Sequence, residues 1–304
     1  MAITASGSPA PWTPLRSELV SGRPIVAVLG RGVVPADEPV VRADDRGVLH
    51  GDGLFETMHV RGGRPWLRNE HLTRLANAAV AVDLLLPDAT ELAVLLEEVC
   101  AHWPAQVEGA LRLVCTRGPE EGGPATVFAT LSEVAPALRL ARTAGVTVAT
   151  LPLGVPAGAR AGLPWLLAGV KSTSYGVSLA ARRWAAANGV DDVLWTSTDG
   201  YALEGPSANL VWLAGDTLCT VPAASTGILP GLTARWLLAH ADSLGWSAEE
   251  RLVTPAELRE AACGGAWFTS SVRGLAEVRS LDGMPLPPSP HTRNLLDLLG
   301  FPAA

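Results

Sequence analysis

The sequence predicts an α/β protein of two domains, and three observations carry that reading. At 304 residues the chain exceeds the size at which one hydrophobic core usually suffices. Apolar residues recur at strand spacing in some segments and at helical spacing in others, and the two kinds of segment alternate along the chain. The pattern then breaks around Pro136–Gly145. That break sets the expected boundary between a smaller N-terminal domain over 1–137 and a larger C-terminal domain over 138–304.

Residues 1–23 are rich in Pro, Ser and Gly and read as a loose arm. Pro24–Gly30 reads as a first strand. Asp44-Asp45-Arg46-Gly47 reads as a turn that leads through Gly51-Asp52-Gly53 into the strand Leu54–Val60. The period of two sets Phe55 and Thr57 on one face of that strand and Glu56 on the other. Arg61-Gly62-Gly63-Arg64 before Pro65–Arg68 predicts a hairpin. Leu72, Leu75, Ala76, Ala79 and Val82 then recur at helical spacing, with Arg74 near the helix start and off the apolar stripe. Asp88 with Glu91 makes an approximate capping box for a second helix, whose buried face is Leu92, Leu95, Leu96 and Val99. Ala110–Thr116 and Thr126–Val134 read as strands around the turn Gly118–Pro124.

Beyond the break, Val146–Leu151 is a strand, Pro152–Gly162 a loop, and about Ser174 to Asn188 a helix. Asp192–Ser197 is a strand closed by the turn Thr198-Asp199-Gly200, and Tyr201–Leu203 carries the chain to Glu204. Asn209–Leu213 and Thr217–Val221 form another hairpin. Gly227–Thr233 opens a helix with Trp236, Leu237, His240 and Leu244 on one face, and a helix start of this kind can hold an anion. A short helix after Pro255, a strand Ala266–Thr269, the segment Ser270–Arg273 and a terminal helix near His291–Leu299 complete the chain.

Composition narrows the function classes. Hydrophobic residues at 48% against charged residues at 17% describe a compact globular protein. A net charge of −7 argues against nucleic acid or an anionic membrane as a partner. The N-terminal stretch has no apolar leader core, and no apolar run is long enough to span a bilayer. Cys100, Cys115, Cys219 and Cys263 form no C-x-x-C pair and read as small buried hydrophobes in a reducing, cytoplasmic setting. The six His show no metal-ligand spacing, so no metal site is expected.

One residue stands apart. The Lys+Arg total of 23 contains a single Lys, Lys171, and therefore 22 Arg. A chain that uses Arg for its solvated cations has kept an amine at one place only. Arg cannot imitate what an amine does there, which is to lose a proton, attack a carbonyl and form a Schiff base. Gly162–Val170 before it carries no charge, a setting that depresses an ammonium pKa. The plainer alternative is a lone surface or salt-bridging Lys.

Taken together, these pieces resemble the fold-type IV pyridoxal-phosphate enzymes, which include branched-chain and D-amino-acid aminotransferases and aminodeoxychorismate lyases. The resemblance runs from about Asp45 to Gly283. D-R-G-x-x-x-G-D-G-x-F-E-T (Asp45 to Thr57) and H-L-x-R-L (His71 to Leu75) are similar to the family's N-terminal signatures. Lys171 matches its Schiff-base lysine. E-G-x-x-x-N (Glu204 to Asn209), L-x-T (Leu218 to Thr220) and L-P-G-L-T (Leu229 to Thr233) match its C-terminal signature in order and spacing. Pro206, Val211 and Ala234 depart from the family's usual residues, with Arg235 one place after the expected basic position.

The resemblance implies a role for each matched residue. Lys171 would bind pyridoxal 5′-phosphate covalently and then act as the base at the substrate's α-carbon. Glu204 would keep the pyridine nitrogen protonated; the alternative is an exposed strand-end carboxylate. Arg74 would clamp the phosphate with the N–H groups of Leu232 and Thr233, the alternative being a solvated helix residue. Leu229 would pack on the ring, or serve as plain core. Ser271 falls where the family has a second hydroxyl near the phosphate. Tyr175, one helical turn after Lys171, would reach the cofactor's phenolic oxygen, or be a core Tyr. A homodimer acting on a small-molecule amine is implied as well.

Three subfamilies compete. The Arg-x-His carboxylate trap of the D-amino-acid enzymes is replaced here by Glu120-Glu121-Gly122-Gly123, and the F-E-G of branched-chain enzymes by Phe55-Glu56-Thr57. The pattern G-D-G-x-F-x-T is that of aminodeoxychorismate lyases, in which the Thr hydroxyl is implicated in proton transfer; here it is Thr57, whose alternative is a plain β-branched strand residue. The expected function is therefore 4-amino-4-deoxychorismate lyase, with elimination of pyruvate to give 4-aminobenzoate for folate. The alternative is a branched-chain or D-amino-acid aminotransferase, and a more remote one is a non-catalytic binding scaffold of the same fold. A yellow purified protein would distinguish the enzyme from the scaffold.

Overall fold

Residues 22–261 and 264–301 are described by the computed structural model. The expected loose arm, up to residue 21, and Cys263 lie outside the described residues. Strands β1 (Ile25–Val28) and β2 (Gly32–Val34) form a hairpin, followed by a single-turn helix α1 (Arg46–Leu49). Asp45–Gly47 is therefore the start of a helix and not a plain turn. Asp45 caps it through Gly47 N at 2.7 Å and, fully buried, also accepts the hydroxyls of Thr116 and Thr126.

Next come β3 (Gly53–Arg61), β4 (Arg64–Pro65), α2 (Arg68–Ala81), α3 (Ala89–Ala101), β5 (Gly109–Thr116) and β6 (Thr126–Glu133). The six strands make one antiparallel sheet in the order β2-β1-β6-β5-β3-β4. The capping box at Asp88 and Glu91 is complete in both directions. Helices α2 and α3 cover one face of the sheet, where Leu54, Met58 and Val60 of β3 pack with Leu75, Leu96, Leu111 and Leu131. The other face carries Phe55 and Thr57 toward a cavity.

The stretch Pro136–Gly145, read as a break, is instead helix α4 (Pro136–Ala144). Pro136 sits in its first turn, where a missing N–H costs nothing, and Gly145 ends it at φ 74°. The chain continues through β7 (Val146–Pro152), α5 (Gly176–Ala187), β8 (Asp192–Thr196), β9 (Glu204–Gly205), β10 (Ala208–Ala214) and β11 (Thr217–Thr220). After α6 (Ala223–Thr226) come α7 (Leu232–Ala239), β12 (Ser247–Glu250), α8 (Pro255–Ala261), β13 (Ala266–Ser270), β14 (Gly274–Leu281), β15 (Met284–Pro285) and α9 (Thr292–Leu298).

The second sheet has nine strands. Its main path runs β12-β11-β10-β13-β14-β7-β8, with β9 paired to β10 and β15 to β14. Both faces are covered, which is why β10 reads as a continuous apolar run. Leu210 and Trp212 face one core with Phe268 and Val148, while Val211 and Leu213 face another with Trp267, Leu237 and Leu295. Burying each such side chain stabilises by about 1.5–3 kcal/mol. Helix α7 is shorter than its periodicity suggested. It ends at Ala239, His240 is its exposed cap, and a 3₁₀ turn holds Leu244. Its buried residues are Leu232, Thr233, Ala234 and Leu237; Trp236 packs partly buried against the same core, as Leu244 does, whereas His240 is exposed.

One contact between the halves places the chemistry. Residues 171–173 lie against the first turn of β3: Phe55 N donates to the Lys171 carbonyl at 3.0 Å, Thr173 N to the Gly53 carbonyl at 2.8 Å, and Ser172 bridges Leu54. A C-terminal segment is thereby fastened to an N-terminal strand.

Candidate active site

Lys171 is an extended residue in that bridge and not part of a helix, so Tyr175 is not one helical turn beyond it. Tyr175 precedes α5, and the bend between them brings its hydroxyl 3.5 Å from Lys171 Nζ. The ammonium lies 4.4 Å above the Phe55 ring, and Tyr175 packs edge-on against the same ring at 5.2 Å. Burial pushes the Lys171 pKa down to about 8, and the nearby Arg74 charge works in the same direction. An amine with that pKa is partly free base near neutrality.

The surrounding cavity of about 760 Å³ contains every site residue expected from the sequence: Thr57, Arg74, Lys171, Tyr175, Glu204, Leu229, Leu232, Thr233 and Ser271. Glu204 reaches it from β9. Leu229 N lies 3.2 Å from one carboxylate oxygen, and Asn209, its cross-strand neighbour, lies 3.5 Å away. Asn209 also donates to the Leu229 carbonyl at 2.7 Å, so one amide locks the 229 loop to Glu204. The loop passes so close that a Cβ on Gly231 would lie 1.9 Å from Asn209 Oδ1, which explains the glycine. Burial pushes the Glu204 carboxyl up to about 7, against the pull of Arg160, the Leu229 amide and Lys171.

This shift has a consequence for stability. Between 4.5 and about 7 the folded chain holds a proton on Glu204 that the unfolded chain has released, so the contribution of Glu204 falls as pH rises through that window. His59, lowered by burial to about 4, and His71, also lowered, push the other way. The comparison that isolates Glu204 is with Glu204→Gln. In denaturant melts of the cofactor-free protein, the variant should gain on wild type from pH 5 to 7 by up to about 1.4 kcal/mol per pH unit. A constant difference would mean that Glu204 titrates normally.

Arg74 is not a solvated helix residue. Its Nε and Nη2 engage both oxygens of Glu56 at 2.8 and 2.7 Å, and its Nη1 donates to the Pro230 carbonyl at 3.0 Å. One N–H on each terminal nitrogen is left over by that count. Glu56 also accepts from His71 Nδ1 at 2.6 Å, and His71 Nε2 lies 3.2 Å from Ser271 Oγ. Burial alone would push Glu56 up, but the hydrogen bonds from Arg74 and His71 outweigh it and hold the carboxyl at about 2.

Thr233 Oγ1, at the start of α7, is buried and without a partner among the described residues. A buried hydroxyl of that kind, helix N–H groups and a half-used guanidinium together make a fit for a phosphate group.

Sequence reasoning gave no role to Glu56, His71 and Asn209, although all three fall inside the motifs. It also passed over Arg112, which lines the cavity from β5, pairs in register with Thr57, and stacks 5.0 Å above Phe55. The signal available was a single charge in the apolar strand Ala110–Cys115. Among the described residues, no cluster of three or more His, Cys, Asp or Glu could hold a metal, and no helix is long and apolar enough to cross a membrane. Cys100, Cys115 and Cys219 are free and buried.

A family model for amino-transferase class IV matches residues 53–281. The chain is 36% identical over 283 residues to a bifunctional aminodeoxychorismate lyase / D-amino acid transaminase of Mycobacterium tuberculosis, covering 90% of this chain and 97% of that one. A hypothetical aminotransferase from Mycobacterium tuberculosis, solved in its PLP-bound form, superposes with a TM-score of 0.87 at 36% identity, covering 91% of this chain and 97% of that one. A fold IV transaminase from Curtobacterium pusillum gives 0.85 at 33% identity over 92% of this chain and 97% of its own.

Proposed function

This chain belongs to the class IV aminotransferase family, and on that premise we propose that it is a pyridoxal-phosphate enzyme whose main reaction is the elimination of pyruvate from 4-amino-4-deoxychorismate to give 4-aminobenzoate. The observation that carries the lyase reading is Thr57: its side chain lines the same cavity as Lys171, on a β-strand whose neighbour in register is Arg112. The bifunctional name of the mycobacterial relative favours D-amino-acid transamination as a second activity of the same site.

Pyridoxal phosphate, when bound, supplies an aldehyde for an amine and a ring that accepts electrons from the substrate. Arg74, Thr233, Ser271 and the amides of Leu232 and Thr233 would hold its phosphate, Leu229 would pack on its ring, and Tyr175 would face its phenolic oxygen. Lys171 Nζ supplies the amine and takes the proton from the substrate carbon that bears nitrogen, which its pKa of about 8 suits. Glu204 holds the proton at the ring nitrogen. Thr57 Oγ1 would relay to the ether oxygen, as the enolpyruvyl group departs, the proton that Lys171 has taken from the substrate carbon, so the hydroxyl is restored. Arg112 binds a substrate carboxylate.

The division at residues 137/138 belongs to this reading, supported by the separate cores of the two sheets. So does a cytoplasmic homodimer. Leu166, Leu167, Val177 and Leu179 stand exposed around the mouth of the cavity, an apolar rim that a second subunit would cover.

Product analysis tests the reaction. With 4-amino-4-deoxychorismate, the protein should form 4-aminobenzoate and pyruvate in equal amounts. Thr57→Val, which keeps shape and removes the hydroxyl, should cut that rate by about 10²-fold or more and change transamination of D-amino acids far less. Equal loss of both activities would assign Thr57 a positioning role. No lyase activity in wild type would leave the transaminase.

A further inference from the structure

The phosphate cup rests on a buried chain of hydrogen bonds that the reaction itself does not use: Glu56 to His71 to Ser271. Its proton positions follow from simple counting. Glu56 is ionised and accepts only, so its 2.6 Å bond places the hydrogen on His71 Nδ1. His71 is fully buried, and burial disfavours its charged form. A neutral imidazole carries one hydrogen, so Nε2 is bare and accepts from the Ser271 hydroxyl at 3.2 Å. Ser271 then offers the cavity lone pairs and no hydrogen. A phosphate dianion meeting that oxygen would find an acceptor where it needs a donor.

The charges raise the same difficulty. The groups facing His71 are Glu56 from β3, Arg74 from its own helix, Lys171 from the bridge segment, and the Ser271 hydroxyl from the β13–β14 turn. Arg74 is already paired with Glu56 through two bonds. Of the two cations that face His71, Arg74 is therefore already shared, and Lys171, lowered by burial to about 8, carries only part of a charge at pH 8.

We propose that His71 takes up a proton from solvent when the phosphate group binds, so that Nε2 becomes a donor to Ser271 and the Ser271 hydroxyl hydrogen turns to the phosphate. His71 is thus a positioning residue that acts through Ser271, and the inference rests on the pyridoxal-phosphate reading of the cavity. The imidazolium would lie between two acceptors, the Glu56 carboxylate and the Ser271 oxygen, which suits both of its N–H groups. Phosphate affinity should accordingly weaken as pH rises, because the added proton becomes harder to recruit.

The test is ring-nitrogen NMR of the full-length apoenzyme carrying ¹⁵N-labelled histidine. The His71 signals are identified by their loss in His71→Asn or, should that variant not fold, by their shift in Ser271→Ala. The probe is 4′-deoxypyridoxine 5′-phosphate at pH 8, which has the phosphate but no aldehyde for Lys171. Without the probe, His71 should show a protonated Nδ1 and a bare Nε2. With it, both nitrogens should carry hydrogen, and calorimetry in two buffers of different ionisation enthalpy should show about one proton more taken up by wild type than by His71→Asn. A bound probe that leaves Nε2 bare would overturn the proposal while sparing the cofactor reading. A ³¹P signal that never moves would overturn the cofactor reading and this proposal with it.

Discussion

Lys171→Arg should leave a folded protein with turnover reduced by at least about 10⁴-fold, the upper end of what one acid–base residue supplies, because this amine is also the proposed site of covalent attachment. The guanidinium keeps a charge above the Phe55 ring, where Nζ now sits at 4.4 Å, so the cation–π contact survives. It remains protonated at every accessible pH and cannot attack an aldehyde. No second amine on a side chain can substitute, since the chain has no other Lys. Borohydride treatment of the wild-type holoenzyme should accordingly fix a pyridoxyl group on the peptide that contains Lys171, and on no other internal peptide. Label confined to the N-terminal amine, or a variant that turns over within tenfold of wild type, would remove Lys171 from the mechanism.

Glu204→Gln is expected to have the next largest effect, a fall of about 10²–10³-fold in rate with cofactor still bound. The amide oxygen can keep accepting from Leu229 N, and the side chain fills the same space between β9 and the 229 loop. It loses the negative charge proposed to hold a proton on the ring nitrogen. The carboxyl sits at about 7 in the cofactor-free protein because it is buried; a cationic ring nitrogen beside it would draw it down into the ionised form. The absorbance spectrum of the bound cofactor and single-turnover rates separate binding from chemistry. A variant whose rate stays within a few fold of wild type would show that another group holds that proton.

Much of this site could be read in one dimension because it depends on residue type and local spacing. Lys171 is singled out by being the one Lys, and Asp88 with Glu91 announces α3 because a capping box is closed within four residues. The alternation in β3 separates Glu56 from Phe55 and Thr57, as observed. Helix α4 is hidden in the sequence because Pro136 and Gly145 read equally as loop punctuation and as helix bounds, a Pro in the first turn and a Gly at the end. Strand β14 escaped because Glu277 interrupts it. That carboxylate is buried but satisfied by Ser289 N and the Thr292 hydroxyl, which come from well beyond the strand, and by Arg279 within it.

The available groups are legible in the residue order alone: one side-chain amine, a carboxylate in a family signature, hydroxyls at 57, 233 and 271, and a helix start for an anion. Their protonation states come from the folded arrangement. Glu56 and Glu204 are both buried or half-buried strand glutamates, yet two hydrogen-bonded partners from α2 hold the first at about 2 and burial drives the second to about 7. Desolvation sums over atoms contributed by distant segments, and a hydrogen bond depends on where two backbones meet. Neither quantity resides in any window of the chain short enough to read.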